Sequence, residues 1–287
     1  MEVKDIIKKV RQIEIRTKKR TEAALMGQYH SSLKGQGMAF SEVRQYQFGD
    51  DVRRIDWNKT ARFREPFIKV MEEERELTIL LLVDISASMN YGTHTALKKE
   101  YAAEICASLG FSAAGNNDKV GLILFADQVY HAIPPQKGRK HILTLLSHIL
   151  SADDVPAKTN VGAALEYVMN VFKKKSFLFL LSDFNDKINE KTLSIVARKH
   201  QLLGISIADE KDMQIPEVGY VHFKDAETGQ TIWVNTSNAR FRYQYTEEQK
   251  QHQQSVKERF QRNSAHFIAL PTGADYATVL YHYFQKK

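Results

Sequence analysis

The sequence predicts an α/β fold: a doubly wound, mainly parallel sheet with a small irregular amino-terminal appendage and a β-hairpin insertion. Three observations carry that prediction. From Glu76 onward, short apolar runs alternate with stretches of helical period, as in βαβ units. Two of the runs, Ile79 to Val83 and Phe177 to Leu181, are apolar throughout, as strands covered on both faces are. Hydroxyl and carboxylate residues follow both runs directly, at the strand ends where open α/β sheets bind ligands.

The elements follow in order. Val3, Ile6, Ile7, Val10 and Ile13 share one face of a helix over residues 3 to 20, with Lys and Arg opposite. Such a helix can lie on a membrane surface, but packing on its own domain is the preferred reading. Residues 27 to 76 have no clear period and are dense in Gly, Arg, Asp and aromatics. They read as short strands and ordered loops held by ion pairs. Leu77 to Asp84 is the first sheet strand. Leu97, Tyr101, Ile105 and Leu109, at i, i+4 spacing, mark a helix at about 94–114. Val120 to Phe125 and Val129 to Ile133 form a hairpin turning at Asp127-Gln128. A helix at about 138–150, the loop Ser151–Asn160 and a helix at about 161–173 lead to strand Phe177–Leu181. A helix at about 188–199 and strand Leu202–Ala208 continue the alternation. A hairpin at about 217–236 then interrupts it, with Tyr220–Phe223 and Thr231–Val234 around Asp225-Ala-Glu-Thr-Gly229. A helix restarts at Thr246, where Thr-x-x-Gln matches a capping box. Strand Ala265–Leu270 and a helix from about 273 close the chain, which has no internal repeat. The expected division is an appendage over 1–75 and the α/β domain over 76–287.

Composition excludes several classes. The 287 residues suffice for one large domain or one plus an appendage. The longest apolar runs are far too short to span a bilayer, and the start is charged from Glu2 onward, unlike a signal peptide. Cys106 is the single cysteine, so no internal disulfide, cysteine-based zinc site or CxxC redox pair can form. A soluble cytoplasmic protein is expected. The formal net charge is +7, with much of the excess in the first twenty residues and in Lys173-Lys174-Lys175. Solvated surface accounts for it. No aromatic-interleaved basic stripe is present, so nucleic acid is not expected as a partner.

Asp84-Ile85-Ser86-Ala87-Ser88 reads D-x-S-x-S at the end of the first strand. Lys158-Thr159-Asn160 puts a hydroxyl just before a helix, and Phe177–Leu181 delivers Asp183 in Leu-Ser-Asp-Phe-Asn. Asp84, Ser86, Ser88, Thr159 and Asp183 thus gather at one sheet edge, an oxygen-only set suited to a hard cation. The alternative, that such groups only cap helices and turns, stands for any single residue but explains the set less well. In this order, on this alternation, the three segments resemble the von Willebrand factor A domain, a Rossmann-type fold with a metal-ion-dependent adhesion site. The resemblance implies Mg²⁺ (or Mn²⁺ or Ca²⁺) ligated directly by Ser86 and Ser88. It implies that Thr159 and Asp183 join directly or through water, and Asp84 through water. It also implies one position left for a Glu or Asp of a partner protein.

A second signature precedes the first strand. It runs from Gly27 through Gly35-Gln-Gly37 to Tyr46, then Gly49-Asp50-Asp51-Val-Arg53-Arg54-Ile55-Asp56-Trp57 and on to Arg62. This resembles the bacterial family labelled domain of unknown function fifty-eight, whose members fuse that block to a von Willebrand-type domain. The resemblance implies an accessory of a MoxR-type AAA+ ATPase, with membrane contact only through partners. On its own chemistry the block reads as a buried ion-pair network of Asp50, Asp51 and Asp56 with Arg53, Arg54 and Arg62, anchored by Trp57 and Phe63. Its functional alternative is a docking face or anion pocket.

Other motifs are weak. No G-x-S-x-G, H-E-x-x-H or Walker spacing occurs. His94 reads as a surface loop residue, Cys106 as core, Asp153-Asp154 as a solvated acidic loop and Glu72-Glu73-Glu74 as a linker edge. The expected function is a non-enzymatic, Mg²⁺-dependent binding module. The alternatives are a metal-dependent hydrolase and a basic-surface binder of membrane or nucleic acid.

Overall fold

The structure, a computed structural model, describes residues 3–21, 39–72, 76–92, 97–152, 158–186, 188–224 and 231–285. Outside these residues lie residues 27–38 of the amino-terminal signature, with Gly35-Gln-Gly37, together with Glu73-Glu74, His94, Asp153-Asp154 and the turn 225–229. Helix α1 (Val3–Thr21) forms as its apolar spacing predicts, with Val10 and Ile13 buried. The chain divides into two units, Met1–Ser32 with Thr78–Lys287, and Leu33–Leu77. The division read from sequence groups α1 with the appendage. The structure groups it with the sheet instead, because its apolar stripe is covered there.

In the smaller unit, β1 (Ala39–Gln45) pairs antiparallel with β2 (Phe67–Glu72). Between them come a 3-10 turn, Val52–Arg54, and the short helix α2 (Trp57–Phe63), which the sequence reading did not foresee. The expected buried ion-pair network is not what forms. Asp51 accepts from the Arg53 N–H at 3.0 Å, and Asp56 from the N–H groups of Asn58 and Lys59 at 3.1 and 3.2 Å. Asp50 takes the Arg44 guanidinium through both oxygens, at 2.8 and 2.7 Å. The carboxylates of Asp51 and Asp56 satisfy the orphan N–H groups at helix starts, so Arg53, Arg54 and Arg62 are left exposed. Trp57 and Phe63, expected as apolar anchors, are 70% and 57% exposed.

The larger unit carries β3 (Thr78–Asp84), α3 (Lys98–Gly115), β4 (Lys119–Phe125) and β5 (Val129–Gln136). It continues with α4 (Arg139–Ser151), α5 (Val161–Val171), β6 (Phe177–Ser182), α6 (Glu190–Lys199) and β7 (Gln201–Ala208). After the short helix α7 (Glu210–Met213) come the hairpin β8 (Tyr220–Lys224) and β9 (Thr231–Asn235). The unit then closes with α8 (Ala239–Arg262), β10 (His266–Pro271) and α9 (Tyr276–Gln285). A six-stranded sheet, ordered β10-β7-β6-β3-β4-β5, is parallel except for edge strand β5. Helices flank it, so the fold is mixed α/β and compatible with a Rossmann-like arrangement. α1 packs on α3 and α4. No helix among the described residues is long and apolar enough to cross a membrane.

Topology positions the site. The chain runs outward from β3 to β4 and β5, then returns to β6 on the other side of β3. The carboxyl ends of β3 and β6 therefore flank a switch point, where strand order reverses and a crevice opens. The register pairs Val83 with Leu181, which sets Asp84 level with Ser182 at the rim. α8 begins earlier than the Thr246 pattern suggests. Asn238 caps it, accepting from the N–H groups of Arg240 and Phe241 at 3.0 and 3.3 Å, and Thr246-x-x-Gln lies inside the helix.

His200, which follows α6, is 1% exposed, and neither ring nitrogen has a hydrogen-bond partner among the described residues. Burial, with the Lys199 charge beside it, pushes the imidazole down from 6.5 to about 4. The folded state holds it neutral while the unfolded chain takes up a proton below 6.5. Its contribution is therefore complete above that pH and is lost as pH falls through 4, by up to roughly 3 kcal/mol. Urea midpoints followed from pH 7 to 4 are expected to fall less steeply for His200→Leu than for the wild type.

Candidate functional site

Three loops meet at the switch point. The Ile85 N–H donates to the Phe125 carbonyl at 2.8 Å, pinning the D-x-S-x-S loop against the end of β4. A 3-10 turn, Ala87–Asn90, follows. The Asn160 N–H donates to Ala126 O at 2.8 Å, and the Asn160 side chain caps α5 by accepting from the Ala163 N–H at 3.1 Å. That pair of anchors holds Thr159 over the end of β3. The third loop leaves β6 through Ser182 and Asp183.

Asp84 is the hub, fully buried. Its Oδ1 accepts from the Ser86 N–H at 2.9 Å, and its Oδ2 accepts from the Ser182 hydroxyl at 2.6 Å. Thr159 Oγ1 lies 3.2 Å from Asp84 Oδ2 and 2.9 Å from Ser86 Oγ. Ser86 Oγ in turn lies 3.1 Å from Ser88 Oγ. Four of the five residues singled out from sequence, Asp84, Ser86, Ser88 and Thr159, thus form one hydrogen-bonded cluster. Asp183 stands at its side. Its Oδ1 accepts from the Asn185 N–H at 3.4 Å, and its Oδ2 takes the Lys98 ammonium at 3.3 Å.

The electrostatics follow from burial. Asp84 is pushed up to about 7, first by loss of solvent and then by the neighbouring Asp183 charge, against the pull of the Ser182 and Ser86 hydrogen bonds. Lys98 is 2% exposed, and its Nζ also lies 2.5 Å from Asp212 Oδ2. Burial acts to lower its ammonium, but Asp183 and Asp212 overrule it and raise the group above its usual value. Beside Asp183 lies a cleft of about 30 Å³, bordered by Asn185, Ser206, Asp212 and His252, with room for about one water.

The sequence reading missed Ser182, Lys98 and Asp212. Ser182 was legible in principle, since it stands opposite Asp84 once β3 and β6 are neighbours. Lys98 and Lys99 open α3, where cations oppose the helix dipole. That placement is a signal of specific acceptors: Lys99 Nζ donates to Ala152 O at 3.0 Å, and Lys98 to the two carboxylates. Among the described residues, no group of three or more His, Cys, Asp or Glu is arranged to hold a metal. Any cation here would depend on hydroxyl oxygens.

Comparison with known proteins gives relatives along most of the chain. A family model described as a protein of unknown function, DUF58, matches residues 42–255. The uncharacterized protein Mb1516 of Mycobacterium bovis is 32% identical over 223 residues, covering 77% of this chain and 70% of that protein. The uncharacterized protein YeaD of Bacillus subtilis is 28% identical over 125 residues, covering 44% and 28% of the two chains. Among solved structures, the conserved hypothetical protein BatB from Bacteroides thetaiotaomicron is 16% identical with a TM-score of 0.49, covering 73% of this chain and 98% of that one.

Proposed function

The chain belongs to the DUF58 family, and we propose that it is a divalent-cation-dependent protein-binding module. In this reading it is a von Willebrand factor A-like domain whose Asp84, Ser86, Ser88, Thr159 and Asp183 hold Mg²⁺ (or Mn²⁺ or Ca²⁺). The observation that supports it most is the hydrogen-bonded cluster of Asp84, Ser86, Ser88 and Thr159 at the sheet's switch point. The donor set fits a hard cation, being hydroxyl and carboxylate oxygen throughout. Its charge state fits as well. Asp84 rises to about 7, first through burial and then through the neighbouring Asp183 carboxylate, and a divalent ion would oppose both.

When bound, the ion would supply an electrophilic position open to a partner's Glu or Asp. This chain's residues do the rest. Ser182 and the Ser86 N–H fix the Asp84 carboxylate, while neutral hydroxyls from Ser86, Ser88 and Thr159 add no charge of their own. A cation held here would be under-neutralised, so an incoming carboxylate would gain strongly. Binding fits these groups better than hydrolysis does. Asp84 is committed to Ser86, Thr159 and Ser182, and Asp183 to Lys98, so neither is free as a general base. The adjacent cleft of about 30 Å³ is also far below the ~300–1,000 Å³ of substrate pockets. The family resemblance supports a partner of the MoxR-type AAA+ class, and the proposal takes the chain to act from the cytoplasm.

Calorimetric titration of Mg²⁺ into EDTA-treated protein is expected to show one site that vanishes in the Ser86→Ala/Ser88→Ala double variant. Unchanged binding in that variant overturns the assignment.

A further inference from the structure

We infer that Lys98 sets the cation affinity and selectivity of this centre by competing with the ion for Asp183. The inference rests on the cation-binding reading above and adds a residue outside the five proposed ligands.

Lys98 is placed where an ammonium has little reason to be. Its side chain is 2% exposed, so water cannot solvate the charge. It is the first residue of α3, at the helix end whose free N–H groups repel cations. A charge buried there persists only if carboxylates match it. Two do: Asp183 Oδ2 at 3.3 Å and Asp212 Oδ2 at 2.5 Å. The Asp183 side chain is itself 3% exposed, so Lys98 is its main neutralising charge within the fold. Among the described residues, Asp84 by contrast receives only hydroxyl and N–H donors. The two carboxylates of the cluster are therefore treated differently: one already has a tethered cation, the other has none.

A divalent ion arriving between them must share Asp183 with that ammonium. Lys98 has an alternative anchor in Asp212, which is held independently of it. Asp212 Oδ2 accepts from the Asp209 N–H at 2.9 Å in the capping box of α7, and the Tyr245 hydroxyl donates to Asp212 O at 3.1 Å. Loading thus shifts Lys98 from sharing two carboxylates to resting on Asp212 alone. A monovalent ion brings no more charge to Asp183 than the ammonium already there, so Na⁺ and K⁺ gain nothing by displacing it. A divalent ion does. Lys98 consequently lowers affinity for every cation and excludes singly charged ones.

The test uses EDTA-treated full chain and calorimetric titration with MgCl₂ in buffered KCl. Lys98→Met is expected to bind Mg²⁺ about tenfold more tightly than wild type and to lose discrimination against K⁺. Its metal-free melting temperature is expected to fall and to recover in Mg²⁺. Lys98→Arg keeps the charge, so its discrimination against K⁺ is expected to persist. Lys99→Met, the same charge change one residue away without contact to Asp183, leaves affinity at the wild-type value. Asp212→Asn removes the alternative anchor and weakens Mg²⁺ binding, which keeps the inference testable if Lys98→Met fails to fold. Equal Mg²⁺ affinity in wild type and Lys98→Met, or an equal gain in Lys99→Met, overturns the role of Lys98 and leaves the cation site standing. Absence of Mg²⁺ binding in all the variants and in wild type overturns both.

Discussion

Phe260→Ala is expected to lower the unfolding free energy by about 3–5 kcal/mol, seen as a lower urea midpoint at an unchanged slope. The ring is fully buried in the last turn of α8. It meets Phe184 edge-on at 5.4 Å and Phe267 at 5.3 Å between centroids. Below it lies Gly204 of β7, where an added Cβ would come 2.6 Å from Phe260 Cε1. The glycine is there because only a bare backbone lets the ring settle onto the sheet. Gly204→Ala alone is therefore expected to destabilise by overpacking. Combined with Phe260→Ala, the new methyl enters the vacated space, and the double variant is more stable than the two losses added together, with a coupling of about 0.5–3 kcal/mol. Additive losses would show that ring and glycine are not packed as described. The change reaches the site as well, because Phe184 follows Asp183 directly and holds a left-handed φ of 56°. Its ring, locked against Phe260 and Phe267, supports that backbone.

How much was legible follows from where information is local. β3 and β6 are buried along nearly their whole length, so their sequences are uninterrupted apolar runs and their positions were readable. Asp84, Ser86, Ser88 and Thr159 were readable for the same reason, since each lies next to a strand or helix end that the pattern marks. Lys98 and Asp212 were not, because what makes them matter is a contact across 114 residues that no periodicity encodes. Short capped elements were lost too. α2 has seven residues and α7 four, too few for an apolar period, and both rest on an Asp cap that reads equally as a loop. The same ambiguity explains the amino-terminal block. Asp51 and Asp56 among arginines read as ion pairs, yet the nearest unmet donors were backbone N–H groups. At the start of α8, the segment from Ala239 to Tyr245 is mostly polar or half-exposed, so the first strong pattern, at Thr246, was mistaken for its beginning.

Asp84→Asn is expected to separate stability from binding at this centre. In metal-free buffer at pH 8 the wild type holds a fully buried carboxylate beside a second one. Asparagine has the same shape and lacks the charge. The Ser182 and Thr159 hydroxyls can rotate to accept from the new amide, so the cluster keeps its bonds. The variant is therefore expected to be more stable than metal-free wild type by about 1–3 kcal/mol. Saturating Mg²⁺ inverts the order. At a hundredfold excess over the dissociation constant, wild type gains about 2.7 kcal/mol, while the variant, deprived of the charge that draws the ion, gains little. Thermal melts of both proteins in EDTA and in MgCl₂ check this. The prediction fails if the variant is less stable in EDTA, which would make Asp84 a structural cap, or if both proteins rise equally with Mg²⁺, which would place the ion elsewhere. The expected crossing expresses a general trade. In the proposed reading, a buried carboxylate held beside a second one for a cation costs stability without it, and removing that charge recovers stability at the expense of the proposed site.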